Sequence, residues 1–312
     1  MSRTIKVAAV IPVFNRKALT LQCLSNMRRL NLVGIELRIF IVDDRSVDGT
    51  VEAVRAAFPE VVVIEGQGDL WYTGAMNIGI RAALDWSPDY LLLMNDDQVF
   101  DDRALMQLVH TAEKFGNCVV GGLLLLWDQP HKVFQVSPMW RTVWGGWRHW
   151  QQQTIWTIPQ SAWEVELIVG NCMLVPSEAV RDHGAMNERW LPNNGDAEFT
   201  PRLRRRGVRL VIEPKARVFC QPNEIPKSPR MMDWKERYRI LWGDIRLKHN
   251  LRRRFYSYLL GGPDPVRGLI AFVIFFLRYA LDRNLEGGYA MRIPEPPLRD
   301  LLRANVIPEA KD

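Results

Sequence analysis

The sequence predicts an α/β fold, a mixed and mainly parallel sheet flanked by helices, with a helical extension at the C-terminus. Three observations point there. Over the first hundred residues, short apolar runs alternate with helix-length stretches, the pattern of repeated βα units. Several of these runs end abruptly in polar residues, as strands do where they leave a core for a loop. Beyond residue 222 the chain turns strongly basic, with ten Lys or Arg against three Asp or Glu between Lys227 and Arg254.

Taken in order, "KVAAVIPVF" (6–14) predicts the first strand and a helix from about Arg16 to Leu30 follows. "ELRIFIVDD" (36–44) predicts the second strand, and Asp48, Gly49 and Thr50 make a helix start for a segment reaching about Phe58. "EVVVIE" (60–65) is the third strand, Thr73 to Leu84 the next helix, and "YLLLMND" (90–96) the fourth strand. The pattern breaks between Trp127 and Trp163, where six tryptophans fall between 140 and 163. Order resumes with "EVELIVGNCMLVP" (164–176) as a strand and a short helix after it. Gly195 and Asp196 then precede a helix closed by Gly207, and "VRLVIEP" and "ARVFCQ" predict two closing strands.

With 312 residues, 47% hydrophobic and 24% charged, the chain is globular, and wholesale disorder is excluded. It divides into a domain over 1–222, with halves at 1–122 and 123–222, and a basic, partly amphipathic helical region over 223–312. Cys23, Cys118, Cys172 and Cys220 form no C-x-x-C pair, so they read as reduced thiols rather than a zinc site. No signal peptide is evident at the N-terminus, which predicts a cytoplasmic chain. "LIAFVIFFL" (269–277) is about half the ~20 residues that span a bilayer. It is suited to lying on a membrane, not crossing one, so a peripheral place on the inner face of the cell membrane stays open.

In open α/β sheets ligands gather at the carboxyl ends of strands. Here the first strand ends at Asn15 and Arg16, the second at Asp43 and Asp44, and the fourth at Asn95, Asp96 and Asp97. Adjacent carboxylates at the end of a buried strand need water, a basic partner or a cation. Any one of these ends is explained as a turn; three on one rim describe a site. Hard oxygen ligands there suit Mg²⁺ or Mn²⁺.

Four segments in order, "VIPVFNR", "IVDDRSVDGT", "LLLMNDDQVF" and "GDAEFTPRLRRRG", resemble glycosyltransferase family 2, whose members have the GT-A fold. The resemblance covers about the first 220 residues. It implies an inverting, metal-dependent transfer of a sugar from a UDP- or dTDP-sugar to a hydroxyl of a glycan or lipid-linked acceptor, in bacterial surface polysaccharide or glycolipid synthesis. On that resemblance the half 1–122 binds the nucleotide and the half 123–222, with its Trp-rich insert, holds acceptor and catalytic groups. Pro12, Val13, Asn15, Asp43 and Asp44 belong to the nucleotide pocket, Asp44 accepting from the imide N–H of uracil or thymine. Asp96 faces ribose or donor sugar, and Asp97 holds the Mn²⁺ or Mg²⁺. Asp196 is the expected catalytic base, with Glu198 the second candidate.

"GDLWYTGAMNIGIRAA" (68–83) is similar to the donor-side segment of rhamnosyltransferase-like members. It implicates Trp71 as a sugar platform, Gly74 as a point of close backbone approach and Asn77 as a donor contact. Met76 stands where many relatives have Arg, a contact that Arg45 or Arg81 is placed to replace. Where many relatives put a metal-binding His, "ARVFCQPNE" offers Cys220 and Gln221, with His249 as a substitute from further on. Trp144, Trp147 and Trp190 are acceptor candidates. The tryptophan segment fits an acceptor hairpin, a lipid headgroup boundary or a core insert equally well. The basic region fits either an anionic membrane surface or a solvated helix. No nucleic-acid motif accompanies the charge. A non-catalytic carbohydrate- or membrane-binding module is the alternative. A sugar nucleotidyltransferase is disfavoured by "IPVFNR" in place of a glycine-rich loop, and a dehydrogenase by the lack of G-x-G-x-x-G.

Overall fold

The computed structural model describes residues 3–135, 139–148, 153–221, 232–247 and 250–280. The first half runs β1 (Ile5–Val13), α1 (Lys17–Met27), β2 (Ile35–Asp43), α2 (Thr50–Ala57), β3 (Val62–Glu65), α3 (Trp71–Asp85), β4 (Tyr90–Met94), β5 (Gln98–Phe100), α4 (Ala104–Phe115) and β6 (Cys118–Leu126). The second half continues with β7 (Val133–Gln135), β8 (Met139–Arg141), β9 (Gly146–Arg148), β10 (Trp163–Glu164), β11 (Cys172–Pro176), α5 (Ser177–His183), α6 (Asp196–Arg205) and β12 (Arg209–Cys220). Helices α7 (Trp234–Trp242), α8 (Leu251–Gly261) and α9 (Pro265–Ala280) follow.

The main sheet has the order β10-β12-β6-β11-β4-β1-β2-β3. β1 is parallel to both β2 and β4, and β2 to β3, while β11 is antiparallel to β4 and β6. The chain therefore moves outward from β1 to β3 and returns to the other side of β1 with β4. That reversal opens a crevice between the carboxyl ends of β1 and β4, where an open α/β sheet accepts its ligand.

Alternation along β1 divides the core. Val7, Ala9 and Ile11 join Leu24, Met27, Leu105 and Leu108 of α1 and α4 on one face. Ala8 and Val10 join Met76, Ile80 and Phe199 of α3 and α6 on the other. Both faces are dry because a helix layer covers each, which is why the strands are apolar throughout. Gly79 lets α3 lie directly on the sheet, since a Cβ there would overlap Val10 and crowd Val42.

Three elements differ from the sequence expectation. The strand expected over 164–176 is confined to Cys172–Pro176, with β10 before it and a buried loop between. The two closing strands are one, β12, which crosses a register shift between Glu213 and Arg217; Pro214 removes a donor there and marks the irregularity. Helix α3 begins at Trp71, two residues early. Its exposed first amides, Leu70 N and Trp71 N, donate to Asp44 Oδ2 at 2.8 and 3.1 Å, so its cap comes from another strand end.

The tryptophan segment forms a small hairpin of β8 and β9, with Trp140 opposite Trp147 and their rings edge to face at 5.1 Å. It docks on the C-terminal helices: Tyr258 Oη donates to Gly145 O at 2.8 Å. Gly146, at φ +100°, has no room for a Cβ, which would lie 2.6 Å from the Tyr258 ring. Helix α8 also packs on α6, where Arg205 donates to Leu260 O at 2.7 Å. The basic region is thus built onto the hairpin and α6 through its helices.

Candidate active site

At the crevice between β1 and β4, Arg16 follows β1 and reaches the two acids that follow β4. Its Nη1 donates to Asp96 Oδ1 at 3.1 Å and Asp97 Oδ2 at 3.0 Å. Thr20 Oγ1, one turn into α1, donates to Asp96 Oδ2 at 3.2 Å. Burial pushes the Asp96 carboxyl up to about 6 and the guanidinium pulls against that rise. Asp97 keeps a different kind of opening: its Oδ1 is buried and has no hydrogen-bond partner. An orphaned carboxylate oxygen beside an arginine is a place for a further positive charge.

The second strand end is organised as a loop clamp. Asp44 Oδ1 accepts from Gly68 N at 2.8 Å while Oδ2 holds the start of α3, so most of its acceptor capacity goes to backbone amides. Asp43 Oδ1 accepts from Ser46 N at 2.8 Å, and its Oδ2 is buried without a partner. Asn15, at φ 52°, gives its N–H to Ser46 Oγ and accepts from Val47 N with Oδ1, each at 2.8 Å. Val13 O accepts from Asp44 N at 3.0 Å, with Pro12 paired beside Val42 in the β1–β2 register. Pro12 and Val13 through the backbone, and Asn15 through its N–H and its side-chain oxygen, therefore hold the β2–α2 loop against the end of β1.

The third acid stands at the first turn of α6. Asp196 Oδ2 accepts from Gly170 N at 2.8 Å. Surrounding protein raises its carboxyl above the usual range, the Gly170 and Ala197 amides and the Arg253 charge acting against that rise. Arg253 of α8 is itself buried, and that burial lowers it to about 10. Tyr72 Oη donates to Gly170 O at 3.0 Å, and Asn171 O accepts from Asn95 N at 3.2 Å and from the Gln98 side chain. Gly170 and Asn171 thereby tie α3, β4 and α6 to one point. Thr200 Oγ1 secures the segment by donating to Ile168 O at 2.9 Å.

Several expected contacts are engaged within the protein. Asn77 is buried, donating to Met186 O and Glu188 Oε2 at 2.9 Å each and accepting from Met186 N at 3.0 Å, so its amide holds the 186–188 loop in place of a donor. Gly74 meets only ordinary contacts, the nearest being Leu70 Cβ at 3.5 Å from a built Cβ, so no close approach within the protein requires glycine there. Glu198 is bound by Arg202 Nε at 2.5 Å, a guanidinium that also serves Ala185 O at 2.7 Å, so the carboxylate is already engaged within α6. Met76 is wholly buried in the core while Arg45 and Arg81 are exposed.

Trp71 sits at the rim in a left-handed conformation, φ 55°, with Arg246 5.2 Å above its ring. Arg246 also pairs with Asp69 and Asp244, carrying the C-terminal region to the start of α3. Trp190 stacks on Tyr256 of α8 at 4.1 Å. Trp147 is packed inside the hairpin with its Nε1 buried and unpartnered, whereas Trp144 at the hairpin turn is 59% exposed. Cys220 is buried, and that burial, with Asp97's charge second, pushes its thiol up; a protonated thiol is a poor ligand for a hard cation. Gln221 is exposed, and His249 lies outside the described residues.

Among the described residues no cluster of three or more His, Cys, Asp or Glu could hold a metal ion by itself. The donor set nevertheless fits a shared ion, since Asp97 Oδ1 is an unpartnered hard oxygen and a diphosphate would bring further oxygens. The sequence pattern did not single out Gly170 or Tyr72, and Arg253 stood out in it only as part of the basic run 252–254. The glycine in "IVGNCMLVP" was the available signal, an interruption just where backbone groups serve side chains instead of a ladder.

Residues 8–157 match the model of glycosyl transferase family 2. Among solved structures the chain is similar to GalNAc-T7 with UDP, GalNAc and Mn²⁺, at a TM-score of 0.58 and 13% identity over 89% of this chain and 55% of that one. It is also similar to residues 1–349 of TarS from S. aureus, at 0.53 and 14% identity, covering 96% of this chain and 78% of that one. The same TarS fragment with UDP-GlcNAc gives 0.51 and 15% identity over 93% and 76%. This chain spans only about half the length of GalNAc-T7, and at these identities the likeness establishes the fold. No curated protein matches the sequence.

Proposed function

We propose that this chain, whose residues 8–157 match glycosyl transferase family 2 and whose fold is that of the GT-A enzymes, is a glycosyltransferase that moves a sugar from UDP or dTDP to an acceptor hydroxyl with inversion at the anomeric carbon. The acceptor is a glycan or a lipid-linked sugar, in surface polysaccharide or glycolipid assembly. The observation that carries this reading is the pair of acidic centres joined by Gly170 and Asn171. One has an orphaned oxygen suited to a cation, and the other is a single carboxylate oriented by a backbone amide.

In the reaction, the acceptor oxygen bonds to the anomeric carbon as the bond from that carbon to the diphosphate oxygen breaks. The hydroxyl proton passes to Asp196, whose Oδ2 is fixed by Gly170 N, leaving Oδ1 for the acceptor. A carboxyl raised by its surroundings is a stronger base than a solvated one and is suited to this work. Asp97 would hold Mn²⁺ or Mg²⁺, which supplies positive charge to the departing diphosphate when bound. The Asp43–Asp44 pair offers acceptors to the base ring, with Asp43 Oδ2 the unclaimed oxygen. A ring imide N–H matches it, which favours uracil or thymine. Trp71 gives the sugar a flat partner at the rim.

The test is a thermal-shift panel of UDP, dTDP, GDP and CMP with and without Mn²⁺, on the wild type and Asp97→Ala, followed by NMR of the glycoside formed from the preferred donor. UDP or dTDP should stabilise the wild type only with Mn²⁺, by an amount that grows with ligand over Kd, and the variant should lose the effect. Absence of any nucleotide shift would overturn the donor site, and an anomeric coupling showing retention would overturn the role of Asp196.

A further inference from the structure

Helix α9 has two apolar faces, and only one is covered. Gly268, Ala271 and Phe275 are buried against α8 and the hairpin. On the opposite side Val266, Leu269, Ile270, Val273, Phe276 and Leu277 are 40–67% exposed. At about 100° per residue these six fall within an arc of about 120°, the width of a complete apolar stripe. A soluble surface helix places charged residues there. This one carries no Asp or Glu over Pro265–Ala280.

The edge of the stripe is basic. Arg267 and Arg278 are three turns apart and so lie on the same flank. Arg278 Nη1 donates to Trp144 O at 2.9 Å, and Arg148 also donates to that carbonyl. Two arginines therefore fix the corner that presents Val143, 75% exposed, and Trp144, 59% exposed, beside the same flank. Across 232–280 the chain has ten Lys or Arg against four Asp or Glu. The 16-residue helix is about 24 Å long, and no described helix is long and apolar enough to cross a membrane.

We propose that the outer face of α9, with the Val143–Trp144 corner, docks in the plane of an anionic lipid bilayer. The aliphatic stripe enters the headgroup and upper acyl region, Trp144 sits at the boundary where its ring is at home, and the arginines meet lipid phosphates. Charge complementarity selects this occupant: a second copy of this chain would bring the same arginines against one another. The hairpin and α8 connect the face to Asp196 through Tyr258 and Arg253, so docking would fix the catalytic half relative to the surface. The inference stands on this face alone and does not require the transfer reaction.

The experiment is flotation of the full chain with vesicles of phosphatidylcholine alone or with about a third phosphatidylglycerol, at low and high salt. Sedimentation velocity without lipid and a thermal melt accompany it. The wild type should float with anionic vesicles, weaken at least tenfold at high salt and bind neutral vesicles poorly. Val273→Glu and, separately, Leu269→Glu should each reduce flotation at least tenfold with the melt unchanged, because both side chains are already exposed. Failure of the wild type to float with anionic vesicles overturns the proposal whatever the variants do. So does a wild-type dimer dissociated by the same substitutions, which would assign the face to a second copy. Equal flotation by the variants overturns it too, placing the lipid contact elsewhere.

Discussion

Asp196→Asn separates the proposed base from its acidic neighbour. The asparagine side-chain oxygen can accept the Gly170 N–H that Asp196 Oδ2 accepts at 2.8 Å, so the loop keeps its anchor. The loss to folding is that between a charged and a neutral hydrogen bond, about 1 kcal/mol, against a domain stability of about 5–15 kcal/mol. The chemical loss is larger, since general-base catalysis contributes about 10²–10⁴-fold, or about 3–5 kcal/mol. Glu198→Gln should do the reverse. It breaks the ion pair to Arg202 at 2.5 Å, lowering the melting temperature while leaving kcat within a few-fold. The pH profile adds a signature: because burial raises the Asp196 carboxyl, wild-type activity should fall as pH drops through a value above the ordinary carboxylate range. The assay is nucleoside diphosphate release in saturating donor and acceptor, with melts run in parallel. An Asp196→Asn enzyme within tenfold of the wild type, or a Glu198→Gln enzyme that melts normally and is inactive, would refute the assignment.

Arg16→Gln should destabilise the protein by about 1–2 kcal/mol at pH 7, less than a fully buried pair because Arg16 is about half exposed. The sign of its pH dependence follows from Asp96, whose folded carboxyl at about 6 lies above its ordinary 3.8. A raised acid binds its proton more tightly when folded, so stability is regained as pH falls from 6 towards 4, and the variant should regain more than the wild type. Urea unfolding at pH 7 and pH 5 measures this, and equal pH differences for both proteins would show that Arg16 does not neutralise the pair. Gly170→Ala should crowd Tyr72 Oη and lie 3.1 Å from Asp196 Cβ, at a cost of about 1–3 kcal/mol with a fall in kcat. An unchanged melt and unchanged kcat would mean that the junction is slack.

Much of the sheet was legible because its strands are simple. Val and Ile runs that stop at Asn15, Asp43 and Asn95 give both the strand and its functional end. The start of α3 was less so, because the cap that fixes it belongs to Asp44, some 26 residues earlier, and Trp71 takes a left-handed turn that its type does not advertise. Val165, Leu167 and Ile168 are buried but belong to a loop, so hydrophobicity alone extended the strand there too far. The site residues divide in the same way. Asp97 and Asp196 stand out in the local pattern, and so does Asn77, but that pattern does not show that the 186–188 loop engages the Asn77 amide. Which side chain a distant segment has already claimed is a property of the folded chain.

That distinction also explains how one sheet can hold three acidic centres without conflict. Asp44 is satisfied by amides and builds the loop; Asp96 and Asp97 share a guanidinium and leave one oxygen open; Asp196 has the Gly170 and Ala197 amides and a buried arginine nearby. Different partners give the same functional group different chemistry: a structural clamp at Asp44, and at Asp97 and Asp196 the open oxygens on which the proposed cation and base roles rest. Their mutual placement depends on Gly170 and Asn171, whose two carbonyls and one amide are engaged by Tyr72, Asn95, Gln98 and Asp196. A side chain at 170 has no room, and a helix or strand at 170–171 would turn those groups to its own ladder. The interruption of the apolar run before β11 is therefore what allows the Asp96–Asp97 turn and Asp196 to share one rigid mount.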